Sequence, residues 1–234
     1  KNHEKSAHYF YLITQNNKFS NFEKLIARTL FDYIKVFENK SYDFETALNK
    51  VTNDYSNFGK IHKAFLNCYL DNESTKVVFL EITNPKKFNY ARYNFFYINF
   101  LLSKNRNKEA LKVLERDVDI TGRNLLLDQT RSWLQEGNIN IIKETFDCKN
   151  PKHLIAEFFY LIANLYSAED DYKLSNFYLN LSIYLNSSFV FNNILLAENY
   201  LSLGDYKNSK VIYSKFNSKN KIYNWYAKKR IVFI

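Results

Sequence analysis

Residues 156–189, AEFFYLIANLYSAEDDYKLSNFYLNLSIYLNSSF, run directly into residues 190–223, VFNNILLAENYLSLGDYKNSKVIYSKFNSKNKIY. At a spacing of 34 the two stretches share Leu161/Leu195, Ala163/Ala197, Tyr166/Tyr200, Asp171/Asp205, Tyr172/Tyr206, Lys173/Lys207 and Ser175/Ser209. A repeat of this length constrains the fold more than any single motif does. Each copy is one supersecondary unit that buries its apolar face only against a neighbour. Ala163 and Ala197 are small enough to let two helices approach, and Tyr166 and Tyr200 follow three residues later to fill the groove. Gly204-Asp205-Tyr206 reads as the turn, with Glu169-Asp170-Asp171-Tyr172 as a degenerate copy. Ser175 and Ser209 occupy a second small place.

Two further units follow the pattern more loosely. Residues 91–122 put Ala110 at the second small place, and residues 123–155 put Gly137 in the turn and Trp133 at the tyrosine place. Asn84-Pro85-Lys86 and Asn150-Pro151-Lys152 mark helix starts, because proline suits a first helical turn and breaks what precedes it. They also suggest seams near 84 and 150. Upstream, 6–16, 19–38, 42–55, 58–70 and 74–83 read as helices, the fourth carrying Ile61, Phe65, Leu66 and Tyr69 at helical spacing. The expected organisation is therefore degenerate helical hairpins over 1–84, divergent repeats over 85–155, and clear repeats over 156–234. The last segment includes the start of a further unit, and all three form one continuous stack. In 224–234, Ala227 and Ile231 share a face with Trp225 nearby. A first helix without its partner leaves that face open, to be covered by more chain, a second copy or a ligand.

Only four glycines and two prolines punctuate the 234 residues. Sandwiches and barrels need turn residues far more often, so the chain is expected to be all-α. No apolar run is long enough to span a bilayer. The absence of methionine and the start at Lys1 lead us to expect a segment of a longer or processed protein, which leaves localisation open. Cys68 and Cys148 are too few for a disulfide framework or a metal knuckle and read as small buried hydrophobes. The net charge of +9 is concentrated. Residues 206–234 hold Lys207, Lys210, Lys215, Lys219, Lys221, Lys228, Lys229 and Arg230 with no acid, while the rest carries 25 basic and 24 acidic residues.

The 34-residue period, the small-residue and tyrosine places and the turn resemble the tetratricopeptide repeat (TPR) family. The likeness is close over 156–223, looser over 85–155 and architectural over 1–84. The load of Asn, Lys, Ile, Phe and Tyr is also similar to uncharacterised bacterial TPR proteins from AT-rich genomes. The resemblance implies an α-solenoid of antiparallel helix pairs, a superhelix that serves as a protein–protein interaction scaffold and is not an enzyme.

It further implies a ligand surface on the first helix of each repeat. In this register that face comprises Arg92, Phe95 and Asn99, then Asn124, Leu127 and Arg131, then Glu157, Tyr160 and Asn164, then Phe191, Ile194 and Glu198. Asn99 and Asn164 stand at the place where peptide-binding members use an amide to bond the ligand backbone. The set is mixed in sign and lacks the basic ring that clamps a terminal carboxylate.

Independent chemistry is sparse. His3, His8, His62 and His153 have no metal-ligand spacing. His62 and Cys68, six apart, do not align on a helix. Four scattered glycines form no phosphate loop, so no cofactor is expected. The partner expected first is a peptide or protein segment on the concave face. The alternative is an anionic polymer or surface, nucleic acid or anionic lipid, met by the C-terminal lysines. Pentatricopeptide RNA readers share the period but fit the small-residue and tyrosine pattern less well. Self-association through the last helix is a further expectation.

Overall fold

A computed structural model describes residues 3–44, 56–84, 91–121 and 124–234, with the side chains of 56, 57 and 117–121 excepted. Every regular element among the described residues is helical, as expected. The chain forms two compact units, Lys1–Ile82 and Thr83–Ile234.

In the first unit, α1 (His3–Gln15) packs on α2 (Asn21–Glu38), and α3 (Ser56–Leu70) packs on α4 (Thr75–Ile82). A capping box starts α2: Glu23 N donates to Ser20 Oγ at 3.2 Å, and Ser20 N donates to Glu23 Oε2 at 2.8 Å. The core of α2 runs through Leu25, Leu30, Tyr33 and Ile34. Tyr33 is hydrogen-bonded to Nδ1 of the buried His62 at 2.8 Å, joining α2 to α3. The helix expected over 42–55 falls mainly on residues outside those described, as does Pro85. Cys68 and Cys148 are buried as anticipated.

The second unit is a series of helical hairpins: α5 (Ala91–Ser103) with α6 (Asn107–Thr121), then α7 (Leu125–Gln135) with α8 (Ile139–Thr145). Next come α9 (Pro151–Ala168) with α10 (Tyr172–Leu185), and α11 (Asn192–Ser202) with α12 (Tyr206–Tyr213). A 3-10 turn (Ser218–Asn220) leads into α13 (Lys221–Val232). Asn150 caps α9 through Lys152 N at 3.0 Å, with Pro151 in the first turn, so this proline opens a helix inside the unit.

The hairpins share one turn. Arg106 N reaches Leu101 O at 2.8 Å, Asn138 N reaches Trp133 O at 2.8 Å, Asp171 N reaches Tyr166 O at 2.9 Å, and Asp205 N reaches Tyr200 O at 2.8 Å. In each case the preceding residue is left-handed: Asn105 (φ 58°), Gly137 (74°), Asp170 (59°) and Gly204 (73°). Its own N–H bonds the carbonyl three residues back. Together these two bonds make a Schellman C-cap, which satisfies carbonyls a helix end would otherwise leave orphaned. The α3–α4 turn of the first unit repeats it through Asp71 and the bond from Asn72 N to Asn67 O at 2.9 Å. Asp171 and Asp205 then cap the second helices, each accepting a backbone N–H at 3.1 Å.

The small places of the repeat are buried: Ala163 and Ala197 on the first helices, and Ala110, Ser175 and Ser209 on the second. Tyr166 and Tyr200 are half-buried beside them, and Trp133 is fully enclosed at the same place.

One contact departs from simple neighbour stacking. Helix α13 packs on α12 and also back on α7. Gln129 Oε1 accepts Ile222 N at 2.8 Å and Tyr223 N at 3.3 Å, capping α13, and Trp133 Nε1 donates to Lys219 O at 2.9 Å. Tyr223 and Ala227 are buried by this packing. The face expected to stand open is therefore largely covered by earlier helices of the same chain. Ala227 is enclosed and Ile231 half-buried, while Trp225, Val232 and Phe233 point outward.

Two tests follow. Enlarging Ala197 to Leu at a filled helix crossing is expected to cost about 1–3 kcal/mol in urea unfolding; no loss would place the crossing elsewhere. Burial lowers His62 to about 3 from an ordinary 6.5. The unfolded chain then gains a proton that the fold refuses, so this contribution is whole above about pH 6.5 and is lost as pH falls toward about 3. On acidification to about pH 4 the wild type should lose as much as about 3 kcal/mol more than His62→Gln.

Candidate binding surfaces

Five of the residues expected on a ligand-facing surface meet at one point, and that point is interior. The Arg92 guanidinium forms two parallel hydrogen bonds with Glu157, Nε to Oε1 at 2.7 Å and Nη2 to Oε2 at 2.6 Å. Nη2 also donates to Asn192 Oδ1 at 2.8 Å. Its carbon lies 3.4 Å from the centre of the Tyr160 ring, 4.5 Å from Phe189 and 5.7 Å from Phe191. Phe95 stacks on Phe189 with ring centres 5.1 Å apart. The Arg92 side chain is 11% exposed and that of Glu157 1%. Burial raises the Glu157 carboxyl, opposed by Arg92, and Glu157 and Tyr160 hold the guanidinium in its charged form. Helices α5, α9 and α11 are thus tied through one cation.

The remaining expected residues separate. Asn99 is buried, and its amide donates to Ile142 O at 2.7 Å and Phe146 O at 2.8 Å, closing the end of α8. Asn164 is exposed on α9. Asn124 caps α7 through Leu126 N at 3.0 Å and Leu127 N at 3.3 Å. Leu127 and Ile194 are core residues. Arg131 pairs with Asp128 at 2.7 Å. Glu198 accepts the Tyr226 hydroxyl at 2.7 Å and also bonds the Tyr213 hydroxyl and Arg230 Nη2, fastening α13 to α11 and α12. Burial and this carboxylate push Tyr226 up to about 12. The expected continuous face of Asn99, Arg131, Asn164 and Glu198, with Phe95, Tyr160 and Phe191 between them, is therefore corrected; Arg131 is half-buried against Asp128. Phe95, Asn99 and Tyr160 are buried, Phe191 and Glu198 are half-buried, and Asn164 alone is exposed.

The basic end stands outside. Lys207, Lys210, Lys215, Lys219, Lys221, Lys228 and Lys229 are exposed and Arg230 is half-buried. Lys221 reaches Glu136 at 3.0 Å, and Arg230 is held by Glu198.

An open cleft of about 790 Å³ lies elsewhere, walled by α7, α8, the 186–191 loop and the 3-10 turn. Trp133, Glu136, Glu144, Ser188, Val190 and Lys219 are among its lining residues. Its walls are fixed by long-range bonds, Trp133 to Lys219 O and Asn186 Nδ2 to Thr145 O at 3.0 Å. Sequence reasoning missed it because most of its residues lie in turns, loops and a second helix, outside the first-helix positions. Among the described residues, no group of three His, Cys, Asp or Glu side chains is placed to hold a metal.

Arg92→Met strands a buried carboxylate and should cost about 3–5 kcal/mol, and Arg92→Met/Glu157→Met should recover much of it. Urea unfolding of the two singles and the double measures this; equal losses in all three would mean the pair is not coupled. No family model, curated protein or solved structure matches the chain.

Proposed function

We propose that this chain is a helical-repeat scaffold, a solenoid of the tetratricopeptide type, that catalyses nothing and holds a peptide or protein segment. The observation that carries the reading is the cleft beside Trp133, about 790 Å³ and bounded by two hairpins and a turn. Its walls are bonded to each other through the chain's own groups, so seating a segment there costs the scaffold little conformational entropy. The lining offers hydroxyls, two carboxylates and a lysine, the mixed chemistry that an extended peptide with both backbone and charged groups can use. The seat is thus moved from the first-helix face around Arg92, which the chain fills with its own side chains, to the edge of the second and third hairpins. Five copies of one capped turn support the repeat reading of the scaffold itself.

Comparative capture tests it. A partner retained by the wild type should be lost with Glu144→Lys, which reverses an exposed charge at the cleft, and with Ser188→Trp, which obstructs it. Its retention should depend only weakly on salt, unlike phosphate binding through lysines. Retention indifferent to both substitutions would remove the cleft as the seat.

A further inference from the structure

We propose that the outward face of α13 docks on an anionic lipid surface, a site independent of the cleft. Trp225, Lys228, Lys229 and Val232 recur at spacings of three, four and seven, which places them along one side of the helix. Tyr223 and Ala227 lie on the opposite side, buried against the body of the unit. Trp225 is 62% exposed, Val232 81% and Phe233 75%. Lys228 and Lys229 flank this line, and Lys229 Nζ sits 5.6 Å from the Trp225 ring centre. Lys207, Lys210 and Lys215, in the stretch that precedes α13, are exposed as well, and residues 206–234 contain no acid. The carboxylates that reach this segment, Glu136 and Glu198, engage Lys221 and Arg230 and leave Lys228 and Lys229 outward.

A tryptophan ridge bordered by lysines matches the boundary of an anionic bilayer. Indole settles at headgroup depth, short apolar side chains enter the acyl edge, and lysine stems lie along it with their ammonium groups among the phosphates. Two copies of this face meeting each other would set like charges together. A nucleic acid strand would use Trp225 and the lysines but leave Val232 and Phe233 in water. No described helix is long and apolar enough to cross a membrane, so the contact is one of lying on the surface.

The test is co-sedimentation of the full chain with vesicles of phosphatidylcholine, with and without phosphatidylserine. Binding is expected only with phosphatidylserine and should fall as salt is raised. The emission accessible to acrylamide, which comes from Trp225 because Trp133 is enclosed, should shift to shorter wavelength. Lys228→Glu/Lys229→Glu, at two exposed positions, should weaken binding by at least about tenfold with an unchanged circular dichroism spectrum, and Trp225→Ala should weaken it while removing the shift. Binding equally to both vesicles, binding to neither, or binding unaltered in the charge-reversed variant would overturn the proposal. So would retention on single-stranded RNA, or dimerisation in light scattering, that exceeds lipid binding and is lost in that same variant.

Discussion

The second unit is organised around the Arg92 guanidinium. A buried ion pair contributes little to stability by itself, because desolvating two charges offsets most of their attraction. What makes the position tenable is the number of partners: two bonds to Glu157, one to Asn192, and the faces of Tyr160 and Phe189. They come from α9, from α11 and from the loop before α11, so the cation on α5 is held only when all of these are in place. The pair therefore acts as a condition on assembly more than as a source of net stability. Removing one member leaves a charge that the interior cannot solvate.

Amide side chains extend the same logic to the helix ends. Asn99 and Asn186 donate to carbonyls at the end of α8, a helix of seven residues that could not persist alone. Gln129 supplies an acceptor to the first N–H groups of α13. Asn199 donates to Ser175 and Asn176, while its carbonyl accepts from Ser167, so three helices share one amide. The serine at the second small place thus has a use: the Ser175 hydroxyl receives Asn199. A chain rich in asparagine spends part of it on internal stitching between helices.

The divide between what was legible in the sequence and what was not follows from range. The turns were legible because a Schellman cap depends on a few adjacent residues, and Gly137, Gly204, Asp171 and Asp205 all stand where the reading put them. That Arg92, Glu157, Tyr160 and Phe191 lie on one side was legible as well. Their exposure was not. Whether such a side faces solvent depends on how tightly successive hairpins curve, and that is fixed by contacts such as Gln129 to Ile222, 93 residues apart. No local period encodes that distance. Asn99 and Asn164 show the consequence: they are equivalent in register, yet one is buried as a helix cap and the other is in water.

Closure of the inner side also decides where chemistry remains available. Once α13 lies on α7, its inward residues Tyr223 and Ala227 are core, and its other side carries Trp225, Lys228, Lys229 and Val232 outward. The same docking draws the 3-10 turn against Trp133, and that turn is one wall of the cleft. Both proposed surfaces are products of one long-range contact, but they differ in kind. The cleft is concave and of mixed sign, suited to a segment held by shape and a few directed bonds. The helix face is convex and of single sign, and convex basic surfaces gain from extended anionic layers, which need no pocket. A scaffold with its ligand seat at one edge and a lipid-facing ridge near the same contact could hold a partner at a membrane without either site occupying the other.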